Sequence, residues 1–142
     1  MSFSQAVRHV FVNYVNFKGR AGRSEYWWFY LFSIISYLAL YAIAIPLGWM
    51  PEGRELSFGA AVLNFPKDPL VVHLWGLVIL LPGLAVSTRR LHDAGKSDWN
   101  LLWILAMPLC GLGVIVLIYL LTRPSTPGPN RYGDGPATAG RA

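Results

Sequence analysis

Charge is what this chain has least of. Of its 142 residues, 12 are Lys or Arg and 7 are Asp or Glu, so charged residues reach only 13 %, well below the ~25 % usual in soluble domains. Cysteine is nearly missing too: Cys110 stands alone, which excludes an intrachain disulfide and a cysteine-based zinc site and leaves redox compartment unread. The only histidines are His9, His73 and His92, too few and too scattered for a metal-ligand pattern. Gly95-Lys96-Ser97 looks like the end of a phosphate loop, but the upstream glycine and the preceding strand are absent. No basic helix or aromatic-interleaved basic patch stands apart from the membrane flanks, which argues against nucleic acid as a partner. There is no internal repeat.

The missing charge is concentrated in three windows. Tyr26 to Pro51, Pro69 to Thr88 and Trp99 to Thr122 hold 26, 20 and 24 residues without one Asp, Glu, Lys or Arg. A helix needs ~20 mostly apolar residues to cross the ~30 Å hydrocarbon core of a bilayer. Each window meets that length, and apolar residues make up 54 % of the chain. The sequence therefore predicts an integral membrane protein. Ala42-Ile43-Ala44 resembles a signal-peptidase site, but the apolar run before it is longer than a signal peptide's, so a retained anchor is expected.

Between and before the windows the pattern changes. Phe3, Ala6, Val7, Val10, Phe11, Tyr14 and Val15 recur at helical spacing opposite Gln5, Arg8, His9 and Asn13, which predicts an amphipathic helix over 3–15 lying in the interface plane. Tyr26 to Tyr30 form an aromatic belt at headgroup depth. Tyr26, Tyr30, Ser33, Tyr37, Tyr41 and Ala44 then make a weakly polar face that should turn toward other helices. Residues 50–68 read as a loop. Pro69 suits the first helical position of the second span, Pro82-Gly83 should bend it, and His73 reads as an interfacial or packing histidine.

Pro108, Gly111 and Gly113 interrupt the third window. One helix of 24 residues would reach ~36 Å and cross with tilt, which is the default expectation. A re-entrant hairpin is the alternative, tolerated where protein buries the broken backbone. With the N-terminus inside, three full crossings put seven Lys and Arg inside against five outside, whereas a hairpin gives ten against two. Both place the N-terminus in the cytoplasm, and the second suits the positive-inside rule better. The tail from Arg123 is rich in Pro, Gly, Ser and Thr and reads by composition as largely disordered.

Two polar clusters flank the spans on one side of the membrane. The first runs from Lys18 through Gly19, Arg20, Arg23 and Glu25 to Tyr26 and Trp27; the second runs from Arg89, Arg90, His92 and Asp93 through Gly95, Lys96, Ser97 and Asp98 to Trp99. One crossing out and one back bring them together. Arg20 and Arg23 can then pair with Asp93 and Asp98, and Arg89 or Arg90 with Glu25, locking the ends of the spans together. Positive groups remain in excess. A guanidinium grips carboxylates and phosphates bidentately, so Arg20, Arg23, Arg89, Arg90 and Lys96 are candidates to hold anionic lipid headgroups or a partner protein. His92-Asp93 invites a catalytic reading, but no positioned nucleophile accompanies it, Ser24 and Ser97 qualifying by residue type alone. Net charge, at +5, fits the anionic cytoplasmic leaflet.

These segments resemble the family of domain of unknown function 805, small bacterial inner-membrane proteins. The resemblance rests on Asn16-Phe17-Lys18-Gly19-Arg20 with Arg23, Glu25, Tyr26 and Trp27; on Arg89-Arg90-Leu91-His92-Asp93 with Gly95, Ser97 and Trp99; on Pro108 and Gly111; and on Asn130-Arg131-Tyr132-Gly133. It spans roughly Phe11 to Pro136. Asp98 and Asn100 depart from the usual pattern, which bears on the packing around Trp99. The resemblance implies a bacterial inner-membrane location, no catalytic residues to carry across, and a tail that docks at Asn130 to Gly133 rather than staying loose.

The expected architecture is an all-α integral membrane protein: an N-terminal interfacial helix and three hydrophobic segments, about 26–48, 69–88 and 99–122, the third either kinked or re-entrant. Residues 1–136 form one membrane domain, followed by a disordered 137–142. The expected function is non-enzymatic, without cofactor or metal, with membrane lipids as partners through the cytoplasmic-face basic cluster. A small oligomeric transporter or channel subunit, packed through Gly76 and Gly83 or Ala106 and Cys110, is one alternative; a membrane enzyme using His92 and Asp93 is another.

Overall fold

A computed structural model of the chain describes residues 1–49, 69–106 and 112–135. The expected loop 50–68, the interruptions Pro108 and Gly111, Cys110, and the end 137–142 lie outside the described residues. Among them the regular elements are all helices, joined by turns and irregular chain, with one antiparallel bridge between Asn130 and Gly133.

Helix α1, Phe3–Val12, starts at a capping box. The Ser2 hydroxyl accepts from the Gln5 N–H at 3.4 Å, and the Gln5 side-chain oxygen accepts from the Ser2 N–H at 3.0 Å, satisfying two of the helix's orphan donors. It stops three residues short of the expected end because Asn13 turns back on it. The Asn13 N–H makes the last i→i−4 bond, to the His9 carbonyl at 3.1 Å, and its side-chain amide donates to the same oxygen at 2.9 Å, a local side-chain bond that competes with helix continuation. Ala6 and Val10 are buried. Phe3 packs edge-on against Trp28, and Phe11 against Phe29.

Helices α2, Arg23–Ala44, and α3, Leu70–Asp93, are each long and apolar enough to cross a membrane. Glu25 in the first turn of α2 complements the positive end of the helix dipole. Much of their apolar surface is uncovered, Leu38 being 62 % and Leu77 63 % exposed, unlike core helices of a soluble domain. Pro69 precedes α3 rather than opening it: its carbonyl accepts from Val72 and His73 N–H, and His73 Nδ1 meets the same oxygen at 3.2 Å. The helix continues through the fully buried Pro82.

The end of α3 is a Schellman motif. Lys96 N–H reaches the Leu91 carbonyl at 2.8 Å and Gly95 N–H the His92 carbonyl at 3.0 Å, with Gly95 at φ +70 in the left-handed position that favours glycine. A Cβ on Gly95 would also stand 3.2 Å from Thr126 Cγ2, so this turn and the tail are fitted to each other.

The third window is not the single 24-residue α-helix taken above as the default. A 3₁₀ helix covers Asp98–Ala106, and an α-helix, α4, covers Leu112–Thr122. At 11 residues, α4 is ~16 Å long, about half the hydrocarbon thickness. The tighter winding starts where Asn100 donates both its N–H and its side-chain amide to the Ser97 carbonyl, at 3.0 and 2.8 Å. The 3₁₀ helix and α4 pack on each other, and Leu101 joins Leu91, Leu120, Leu121 and Tyr26 in one apolar cluster.

Two compact units emerge, Met1–Tyr30 with Leu81–Ala142, and Leu31–Leu80. In the second, Trp75 Nε1 donates to Ser36 Oγ at 2.9 Å, and a Cβ on Gly76 would meet Tyr37 Oη at 3.1 Å. The weakly polar face of α2 is thus turned toward α3 there. The first unit contains every charged group of the two polar clusters.

Candidate functional site

Thr88 to Asp93, the last turns of α3, are buried without a break. On a helix Arg90 and Asp93 share a face while Arg89 points about 100° away, so the two arginines address different partners. This is why one turn of helix can organise two ion centres.

The first centre is Asp93, fully buried. Its Oδ1 accepts from Arg20 Nε at 3.0 Å and lies 2.9 Å from Arg20 Nη2; its Oδ2 accepts from Arg90 Nη1 at 2.5 Å and from the Ser125 hydroxyl. A carboxylate at a helix C-terminus opposes the dipole, and two guanidinium groups offset it here. Both arginines then use their remaining N–H groups on backbone carbonyls. Arg20 Nη2 donates to Thr126 O and Nη1 to Gly128 O, each at 2.6 Å. Arg90 Nε donates to Leu121 O at 3.0 Å and Nη2 to Arg123 O, capping the open carbonyls at the end of α4. The Asp93 carbonyl in turn accepts from the Thr126 N–H and hydroxyl at 2.8 and 2.9 Å.

The second centre is Glu25. Its Oε1 is 2.9 Å from both Arg89 Nη1 and His9 Nδ1, which joins α1, α2 and α3. The chain between α1 and α2 is fixed alongside, Ala21 N–H donating to the Arg89 carbonyl at 3.0 Å.

His92 belongs to neither centre. Its Nδ1 lies 3.1 Å from the Gly19 carbonyl, at a turn where Gly19 has φ +84, and its Nε2 contacts Asp98. The Tyr132 ring stacks flat on it at 3.7 Å, and Asn130 Nδ2 donates to its carbonyl at 2.9 Å. Asn130 and Gly133 exchange backbone hydrogen bonds. So 124–135 is docked where composition suggested disorder, held by Arg20, Asp93 and His92.

The pairing therefore differs in part from the one drawn from sequence. Arg20 meets Asp93 and Arg89 meets Glu25, but Arg90 also goes to Asp93 because it lies one turn from it, and Asp98 goes to His92. Arg23 is exposed and Lys96 half-buried at the rim; Trp27 and Trp99 are exposed, Ser97 half-buried, and Tyr26 packs against Trp27 and Tyr30. Sequence reasoning gave no site role to His9, Ser125, Thr126 and Tyr132. Asn130, Arg131 and Tyr132 are the tail side chains that a motif pointed to; for Ser125 and Thr126 no signal existed, since a hydroxyl in a Pro-rich stretch reads as solvent-facing. Gly83 faces Phe29 at a would-be Cβ distance of 3.9 Å, so it serves a contact inside the chain, as Gly76 does. No group of three His, Cys, Asp or Glu suited to a metal occurs among the described residues.

The site is thus a helical frame closed by Arg–Asp pairs under a docked tail. Residues 14–134 match the family described as Protein of unknown function (DUF805), and the chain belongs to that family. It is 35 % identical over 127 residues to Inner membrane protein YhaH of Escherichia coli (strain K12), covering 89 % of this chain and 92 % of that one. It is 36 % identical over 128 residues to Inner membrane protein YhaI of the same organism, covering 89 % and 91 %. No solved structure matches.

Proposed function

We propose that this protein is a non-enzymatic, multi-pass inner-membrane scaffold whose N-terminus and tail both lie in the cytoplasm and whose basic rim engages anionic lipid headgroups. The relatives' location supports the membrane, and α2 and α3 have the length to cross it. One observation carries the topology: both ends of the third segment meet the same end of α3. Asp98 contacts His92, and the Leu121 carbonyl caps Arg90. A segment that starts and finishes at one membrane face is re-entrant, which puts ten Lys and Arg on that face against two on the other. Reporter fusions check this directly. A fusion after Ala142 should report the cytoplasm and one within 50–68 the opposite side; a tail reporting the opposite side would restore a full third crossing.

The same geometry supports a scaffold over an enzyme. Asp93 accepts from two arginines and the Ser125 hydroxyl while His92 faces Gly19 and Asp98, so among the described residues the two do not converge on one nucleophile. Arg23 and Lys96 at the rim are the groups placed to meet headgroups, at ~1 kcal/mol each near an anionic surface. Phosphatidylglycerol retained per chain after gentle extraction should fall in the Arg23→Ala/Lys96→Ala double variant with thermal stability unchanged. Equal retention in the two proteins would remove the headgroup reading.

A further inference from the structure

Arg89 is the arginine that the two centres leave unspent. Its side chain is only 4 % exposed and Nη1 pairs with Glu25, yet Nε and Nη2 are buried with no hydrogen-bond partner among the described residues. Arg20 and Arg90, by contrast, spend theirs on Asp93 and on carbonyls. Glu25 cannot easily make up the difference, because the oxygen facing Arg89 is shared with His9. Buried donors on a charged group are ordinarily paired, and two left open on one edge call for an acceptor.

Charge points the same way. Three buried arginines, Arg20, Arg89 and Arg90, stand against two buried carboxylates, Glu25 and Asp93. Asp98 is 61 % exposed and engaged by His92. Carbonyls solvate a guanidinium but do not neutralise it, so among the described residues the interior of this unit carries one positive charge in excess. The open Nε/Nη2 edge is the planar fork that grips two oxygens of one anion. It also lies at headgroup depth, since Arg89 is the first residue after the charge-free run from Pro69 to Thr88. His9, 46 % exposed, is bound to the same Glu25 oxygen.

We infer that the Nε/Nη2 edge of Arg89 is a site for a single phosphate-class oxyanion, either the phosphodiester of an anionic lipid or a free inorganic anion. The lipid source rests on the membrane placement of α2 and α3; the site itself rests on the unpaired donors and the excess charge. Engagement at the Arg23 and Lys96 rim is separable from it.

The test is thermal stability of the full chain in a non-ionic, phosphate-free detergent, titrated separately with phosphatidylglycerol and with inorganic phosphate. Arg89→Lys keeps a positive charge toward Glu25 but removes the fork. A saturable rise in Tm is expected for the wild type, with half-effect shifted about tenfold or more in Arg89→Lys. A response to the lipid alone names the lipid as ligand, and a response to inorganic phosphate names the free anion. No saturable response in the wild type, or an equal one in Arg89→Lys, overturns the site and leaves water as the occupant. A response lost only in Arg23→Ala/Lys96→Ala also overturns it while upholding the rim. Should Arg89→Lys fail to fold, Glu25→Gln decides: deleting the competing negative charge should tighten binding, and an unchanged or weaker response refutes the site.

Discussion

Asp93→Ala is expected to destabilise the chain by about 3–5 kcal/mol, because it leaves two buried guanidinium groups facing each other with no carboxylate between them. Arg20 and Arg90 are each buried and each within hydrogen-bond distance of Asp93, so removal exposes a repulsion as well as the loss of two charge-assisted bonds. The Ser125 hydroxyl loses its acceptor at the same time. Thermal melting in detergent measures the loss, and a melting temperature equal to the wild type's would mean that water replaces the carboxylate. Asp93→Asn keeps the shape and one acceptor oxygen and should fall between the two. Replacing Asp93, Arg20 and Arg90 together by apolar residues of similar volume should recover part of the loss, since a buried ion triad contributes less than its removal one partner at a time suggests.

Arg20→Lys is the second large effect, and it separates charge from geometry. An ammonium could still meet Asp93, but one point charge cannot also supply the donors that Arg20 sends to Thr126 and Gly128 at 2.6 Å each. Bonds from charged donors contribute about 1.5–3 kcal/mol apiece, so the tail should come loose while the helices stay folded. The measurement is limited proteolysis: cleavage within 124–135 should accelerate at least tenfold, with helical circular dichroism retained. Protection equal to the wild type's would show that Tyr132 stacking on His92 and the Thr126 bonds to the Asp93 carbonyl hold the tail without Arg20.

These effects follow from contacts that sequence showed unevenly. The apolar runs of α2 and α3 were legible because membrane span length is a one-dimensional property: a count of residues without charge is compared with a bilayer's thickness. The α1 stripe was legible for a similar reason, helical period being local. The Arg20–Asp93 and Arg89–Glu25 pairs were within reach once two crossings returned the chain to one face. The division between Arg89 and Arg90 was not, because it depends on how α3 is rotated about its axis, which burial of Leu91 and packing on α4 decide.

The third segment shows the limit most clearly. Its length made a crossing the default and its Pro and Gly interruptions kept a hairpin open, and local propensity does not choose between them. Only the meeting of Asp98 with His92 and of the Leu121 carbonyl with Arg90 brings both ends to one place. The tail is the same case: Ser125 and Thr126 acquire meaning from the carboxylate and the backbone carbonyl of Asp93, more than thirty residues away in the chain.

By itself the sequence determined the apolar lengths, the positions of the charge clusters between them and the family, since each depends on residue order alone. The tertiary structure decided which guanidinium serves which carboxylate, that the tail closes over Asp93, and that Arg89 keeps two donors unpaired among the described residues. Those outcomes depend on directions in space, and a buried charge takes its stability from whatever acceptor the fold brings within about 3 Å of it.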